Sequence, residues 1–97
     1  MITKEKALEI VKQYLQDRKR DYVFIVEKDK VRYEEQKRIG YGKYEDSKRN
    51  TFVVNYDIEG YPEPIPQFVI VDAEKGEVLF TSTKHGYAEE WEDEEEL

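Results

Sequence analysis

The sequence predicts an α+β domain in which one N-terminal helix packs on an antiparallel sheet of three to five strands. Three features carry that reading. Apolar residues recur at helical spacing near the start, residues 51–58 alternate strictly, and two late apolar runs flank a polar turn that closes on a glycine. No second helical stripe follows, so the crossovers that a parallel sheet requires are missing.

Thr3 is placed to cap the helix, because its hydroxyl can accept from a first-turn amide, and Glu5 suits the positive end of the helix dipole. Ala7, Leu8, Val11, Tyr14 and Leu15 form the stripe to be buried, widened by Ile10. Lys4, Lys6, Glu9, Lys12, Gln13 and Gln16 fill the wet side. Arg18, Lys19 and Arg20 sit where cations suit a C-terminus, so the helix is expected over about residues 4–19.

Tyr22, Val23, Phe24, Ile25 and Val26 are apolar on both alternations, as in a strand covered on both faces. With Lys28-Asp29-Lys30 as a turn and Val31 and Tyr33 continuing at period two, they read as the start of a first hairpin. The other reading makes 22–26 an extended lead-in, with the first strand beginning near Val31. Residues 34–50 are highly charged and read as strand ends around a mobile loop. In 51–58, Phe52, Val54, Tyr56 and Ile58 share the face expected to meet the helix, while Thr51, Val53, Asn55 and Asp57 lie on a half-wet face. Pro62, Pro64 and Pro66 alternate, which predicts a stiff connector outside any central strand. The late hairpin runs from Phe68-Val69-Ile70-Val71 through Asp72-Ala73-Glu74-Lys75-Gly76 to Val78-Leu79-Phe80.

A length of 97 residues bounds the answer to one domain with a small core. Charged residues make up 40%, yet aromatic residues reach 13%, eight of them tyrosines. Each ring buries roughly 150–250 Å², enough to close a core. The net charge of −7 is concentrated at one end: residues 89–97 hold seven acids and no base, while residues 1–88 hold sixteen of each. Residues 1–88 are therefore read as the domain and 89–97 as an acidic tail expected to be disordered. Nothing is basic enough to track a phosphate backbone, so nucleic acid is not an expected partner. No segment approaches the roughly 20 apolar residues of a transmembrane helix, and the first residues lack the apolar run of a signal peptide. No membrane partner is expected, and the cytoplasm is the expected compartment. The chain has no cysteine, which excludes disulfides, thiolate catalysis and thiolate-held metals.

His85 is the single histidine. Ser82 lies three residues away without a nucleophile-elbow context, and a metal site would have to recruit Glu89 or Glu90 from the acidic end. A local or partner contact is the expected role. Gly40-Tyr41-Gly42-Lys43-Tyr44 fails as an RNA-binding glycine-aromatic motif, because Lys43 stands where the second aromatic belongs and Ile39 precedes it instead of a base. It reads as a turn pinned by two tyrosines or as an aromatic contact patch. Glu34-Glu35 and Glu45-Asp46 lie among lysines and arginines, where nothing would raise a carboxyl pKa for acid–base work. No catalytic set, cofactor site or metal site emerges, and the chain reads as a non-enzyme. Tyr41, Tyr44, Tyr61, His85, Tyr87 and Trp91 are the candidate contacts to a protein partner.

Two segments carry a resemblance. Ile2-Thr3-Lys4-Glu5-Lys6-Ala7 resembles the helix start of PepSY-type domains, and Val71-Asp72-Ala73-Glu74-Lys75-Gly76-Glu77-Val78 resembles their late hairpin, with Lys75 where threonine or serine is usual. The same outline is similar to small bacterial cystatin-like proteins, including single-domain immunity proteins of toxin systems. The resemblance covers about a quarter of the chain, and residues 22–66 lie outside it. It implies a cystatin-like fold, binding to a protein partner and no catalytic constellation. For the PepSY family it implies a peptidase-regulating role.

Overall fold

Helix α1 (Lys4–Asp17) begins where Thr3 Oγ1 accepts from the Lys6 amide at 3.0 Å. Such a cap contributes about 1 kcal/mol. Burial of a Val or Leu side chain contributes about 1.5–3 kcal/mol, so the buried stripe of Ala7, Leu8, Val11 and Leu15 outweighs the cap in holding the helix. The helix stops at Asp17, two residues before the expected end, and the last turn holds no base. Lys19 takes a left-handed φ of 56°. Its amide donates to Gln16 O at 3.0 Å and that of Arg20 to Leu15 O at 2.9 Å, which closes the helix end in a Schellman motif.

The structure, a computed structural model, describes residues 1–40 and 44–83 together with the backbone of 86–88. The described strands are β1 (Phe24–Ile25), β2 (Arg32–Arg38), β3 (Lys48–Ile58), β4 (Ile65–Asp72), β5 (Val78–Thr83) and β6 (Gly86–Ala88). All pairings are antiparallel. β4 takes one edge of β3, and β1 and β2 share the other, at Tyr56–Asp57 and at residues 48–53. Six strands thus fill five positions, from β1 and β2 through β3, β4 and β5 to β6. The helix lies on one face, against β3, β4 and β5.

Several expectations need correction. β1 and β2 do not form a hairpin with each other, because each pairs with β3 and a 3-10 turn, Lys28–Lys30, separates them. Residues 22–26 are not covered on both faces: Tyr22, Val23 and Phe24 are exposed, and only two residues bond as strand. Much of 34–50 is strand. β2 survives its charges because it lies at the sheet edge and carries a bulge, where Gln36 takes a φ of 53° and gives its amide to Asn50 Oδ1 at 2.9 Å. Pro66 sits inside β4, a central strand. Asp57, opposite it, turns its carbonyl to the Val23 amide at 2.9 Å, so the missing proline N–H removes no bond to β3. On the other side, pairing with β5 begins only at Phe68 and Ser82.

The sheet is buried on both faces at its centre. Phe52, Val54 and Tyr56 meet Val69, Val71 and the helix stripe, as the alternation predicts. Beneath the sheet, Val53, Ile70, Leu79, Phe80 and Ile39 form a second cluster with Tyr44 against it. The face expected to be half-wet is therefore dry at Thr51 and Val53. The hairpin turn matches expectation: the Asp72 amide donates to Glu77 O, the Gly76 amide to Asp72 O, and Gly76 takes a φ of 70°.

Candidate functional site

Asp72 ends β4 with its side chain fully buried on the face away from the helix. Arg49 of β3 reaches it with Nε at 2.8 Å from Oδ1 and Nη2 at 2.9 Å from Oδ2. The Lys75 amide also donates to Oδ2, at 2.8 Å. Burial pushes the Asp72 carboxyl up, but the Arg49 hydrogen bonds, the Lys75 amide and both positive charges outweigh it, and its pKa lies below the ordinary value. Arg49 is raised, first by its hydrogen bond to Asp72. The guanidinium also lies 4.3 Å from the Tyr44 ring centroid, and the Tyr44 hydroxyl donates to Glu77 Oε1 at 2.8 Å. Both Asp72 oxygens are engaged by the protein itself within a fully buried side chain, so the pair locks β3 to the hairpin turn and does not present Asp72 to a substrate.

The two segments that carry the family resemblance meet at the same turn. The Ile2 amide donates to Ala73 O at 2.9 Å. A Cβ placed on Gly76 would meet Ile2 Cγ2 at 3.3 Å and Ile10 Cδ1 at 3.4 Å. Ala7 and Ala73 are buried in one cluster. The apolar residues of the two segments thus have a packing role, while Lys4, Glu5, Lys6, Glu74 and Lys75 are exposed.

The opposite end of the sheet is different in kind. Seven large hydrophobic side chains are exposed among the described residues, and five of them, Tyr22, Val23, Phe24, Tyr61 and Phe68, belong to the β3–β4 end or to the segment against it. Directly opposed residues share a face, so Phe24, Asp57 and Pro66 form a row across β1, β3 and β4 on the side away from the helix. Phe68 follows two residues along β4, beside Asn55 and Ser82. Phe24 is 50% exposed and Phe68 36%. Beyond them the turn of 59–64 carries Tyr61, 97% exposed, and a hollow of about 480 Å³ opens between Tyr61, Pro62, Pro64, Pro66, Phe68 and Ser82. Gly60 makes this turn fit, since a Cβ there would stand 2.6 Å from Ile65 Cγ1 and 2.9 Å from the Glu63 carbonyl. An apolar surface of this kind, held by a rigid sheet and a proline-stiffened turn, has the character of a contact surface.

The candidate contacts from the sequence fall in different places. Tyr61 lies in this exposed turn. Tyr44 is half-buried at the other end of the sheet, engaged by Arg49 and Glu77. Tyr87 falls in β6, where the backbone alone is described, and Tyr41, His85, Trp91 and the tail of 89–97 lie outside the described residues. Glu34 is paired with Lys37 at 3.2 Å, and Asp46 with Arg38 at 3.2 Å, as expected of a charged surface. Sequence reasoning missed Phe24, Pro66 and Phe68 as surface, because a run that is apolar at every position does not declare which side chains are covered. Asp57 beside them had one signal, as the single charged side chain in 51–58.

Among the described residues no group of three or more His, Asp or Glu side chains is placed to hold a metal ion, and no helix is long and apolar enough to cross a membrane. Comparison of the chain with protein-family models, with curated proteins and with solved structures finds no match, so the geometry of the site stands without a relative to interpret it.

Proposed function

We propose that this chain is a small cytoplasmic bacterial module that binds another protein, of the kind exemplified by immunity-type inhibitors, and that it is not an enzyme. The observation that carries the reading is the gathering of exposed aromatic and proline side chains, Phe24, Pro66, Phe68 and Tyr61, at one end of the sheet face away from the helix. Tyr61 is the natural anchor, since an exposed aromatic contributes much contact area at little entropy cost. The resemblance to cystatin-like proteins agrees with binding through a sheet face.

A second reading, a PepSY-type regulator of a peptidase, is favoured by the junction of Ile2 and Ala73, which joins the two segments that resemble that family. A small-ligand binder or enzyme on the sheet is the third. It would use the hollow of about 350 Å³ on the same sheet face, between Arg32, Lys37, Val53, Ile70 and Phe80.

Affinity capture with the intact chain, with a Tyr61→Ala/Phe68→Ser variant and with a form ending at Tyr87 tests the leading reading. A stoichiometric protein should be retained by the first and lost by the second. Retention of none by any form removes the basis for an interaction module, and retention by the intact chain and the double variant but not by the form ending at Tyr87 moves the contact to the C-terminal segment.

A further inference from the structure

At the turn end of the exposed patch the charge has one sign, whereas Arg32, Lys37 and Arg38 line a hollow on the inner side of Phe68. From residue 50 to residue 74 there is no lysine or arginine, while Asp57, Glu59 and Glu63 all fall at the β3–β4 end. Asp57 stands between Phe24 and Pro66 in the row across the sheet, and Glu59 and Glu63 flank Tyr61 in the turn. These three acids have no ion-pair partner among the described residues. By contrast, Glu34, Asp46 and Asp72 each face a lysine or an arginine.

Resting on the binding role proposed above, we infer that the partner is basic: a protein segment that sets lysine or arginine beside an aliphatic or aromatic residue. Its apolar side chain would lie on Phe24, Pro66 and Phe68. Its cations would face Asp57, Glu59 and Glu63, and the Tyr61 ring offers a further surface for a cation. An acidic partner would have to bury three like charges against its own, a cost that selects against it.

The test is an amide-resolved NMR titration of the intact chain with three short synthetic peptides. They share alternate leucines around one tryptophan and carry lysine, serine or glutamate between them. The lysine peptide should give saturable shifts confined to residues 22–25 and 55–68, weakened as salt is raised. Tyr61→Ala with Phe68→Ser should weaken it about tenfold or more. Asp57→Asn with Glu59→Gln and Glu63→Gln should bring its affinity down to that of the serine peptide. If the glutamate peptide binds these residues as well as the lysine peptide does, the inference of a basic partner is overturned while the contact surface stands. Saturable shifts elsewhere, or none with any peptide, overturn both. Concentration-dependent shifts at these residues in the protein alone would assign the surface to a second copy and also overturn the inference.

Discussion

Arg49 and Asp72 form a two-pronged ion pair, 2.8 and 2.9 Å long, that ties the middle of the sheet to the turn of its late hairpin. Twenty-three residues separate them in sequence, and the Asp72 end is fully buried. Removing one partner of a buried pair leaves the other uncompensated, at a cost of about 3–5 kcal/mol. Arg49→Met should therefore destabilise the fold by about 3 kcal/mol, near the low end because the guanidinium retains some solvent access. Asp72→Asn, which keeps an acceptor for the Lys75 amide, should cost less. In urea unfolding the double variant should be more stable than the sum of the two losses predicts, with a coupling of about 1 kcal/mol or more. Additive losses would mean that the pair contributes nothing.

The same carboxyl predicts a pH dependence. Its folded pKa is lowered relative to the unfolded chain. The stability it contributes is thus complete above the ordinary carboxylate value of 3.8 and is lost as pH falls through the folded value. The stability gap between the native chain and Asp72→Asn should be constant near neutrality and shrink progressively in acid. A gap that widens in acid contradicts the assignment.

Lys19 occupies a left-handed position that a side chain enters at a cost of about 1–2 kcal/mol. Lys19→Gly should stabilise the protein by about 1 kcal/mol, read as a higher thermal midpoint. Gly76→Ala should do the reverse, because φ is 70° and the new methyl presses on Ile2 and Ile10. A loss of about 1–2 kcal/mol is expected.

Thr81 is fully buried and its hydroxyl has no hydrogen-bond partner among the described residues. A lone buried hydroxyl costs about 1–3 kcal/mol, so Thr81→Val should leave stability unchanged or raise it by about 1 kcal/mol in denaturant unfolding. A loss of stability would reveal a bond to that hydroxyl.

Tyr61 makes the opposite case. At 97% exposure it has little folded-state packing to lose, and Tyr61→Ala should change stability by less than about 0.5 kcal/mol. The same substitution should weaken partner binding by about tenfold or more, measured by calorimetry once a partner is in hand. A large fall in stability would make Tyr61 a structural residue and not an anchor.

The helix, its Thr3 cap, the alternation of 51–58 and the glycine-closed hairpin were legible in the sequence. Each is local: side chains three, four or two residues apart decide it, and no distant partner is needed. Tyr61 could be singled out for the same reason, as an aromatic among turn-forming prolines. Other features were settled only by the tertiary structure. Phe24 and Arg32 both pair along β3, where the sequence suggested a hairpin, because strand pairing is chosen among surfaces far apart in the chain. Charged β2 is held as strand by Asn50, fourteen residues beyond Gln36. Phe68 and Ile70 share one face of β4 yet differ in exposure, 36% against 4%, since exposure depends on what lies above each residue. The acids sort in the same way. Asp72 and Asp57 are alike in sequence, but Arg49 reaches only the first, and that leaves the second available at the surface proposed to meet a partner.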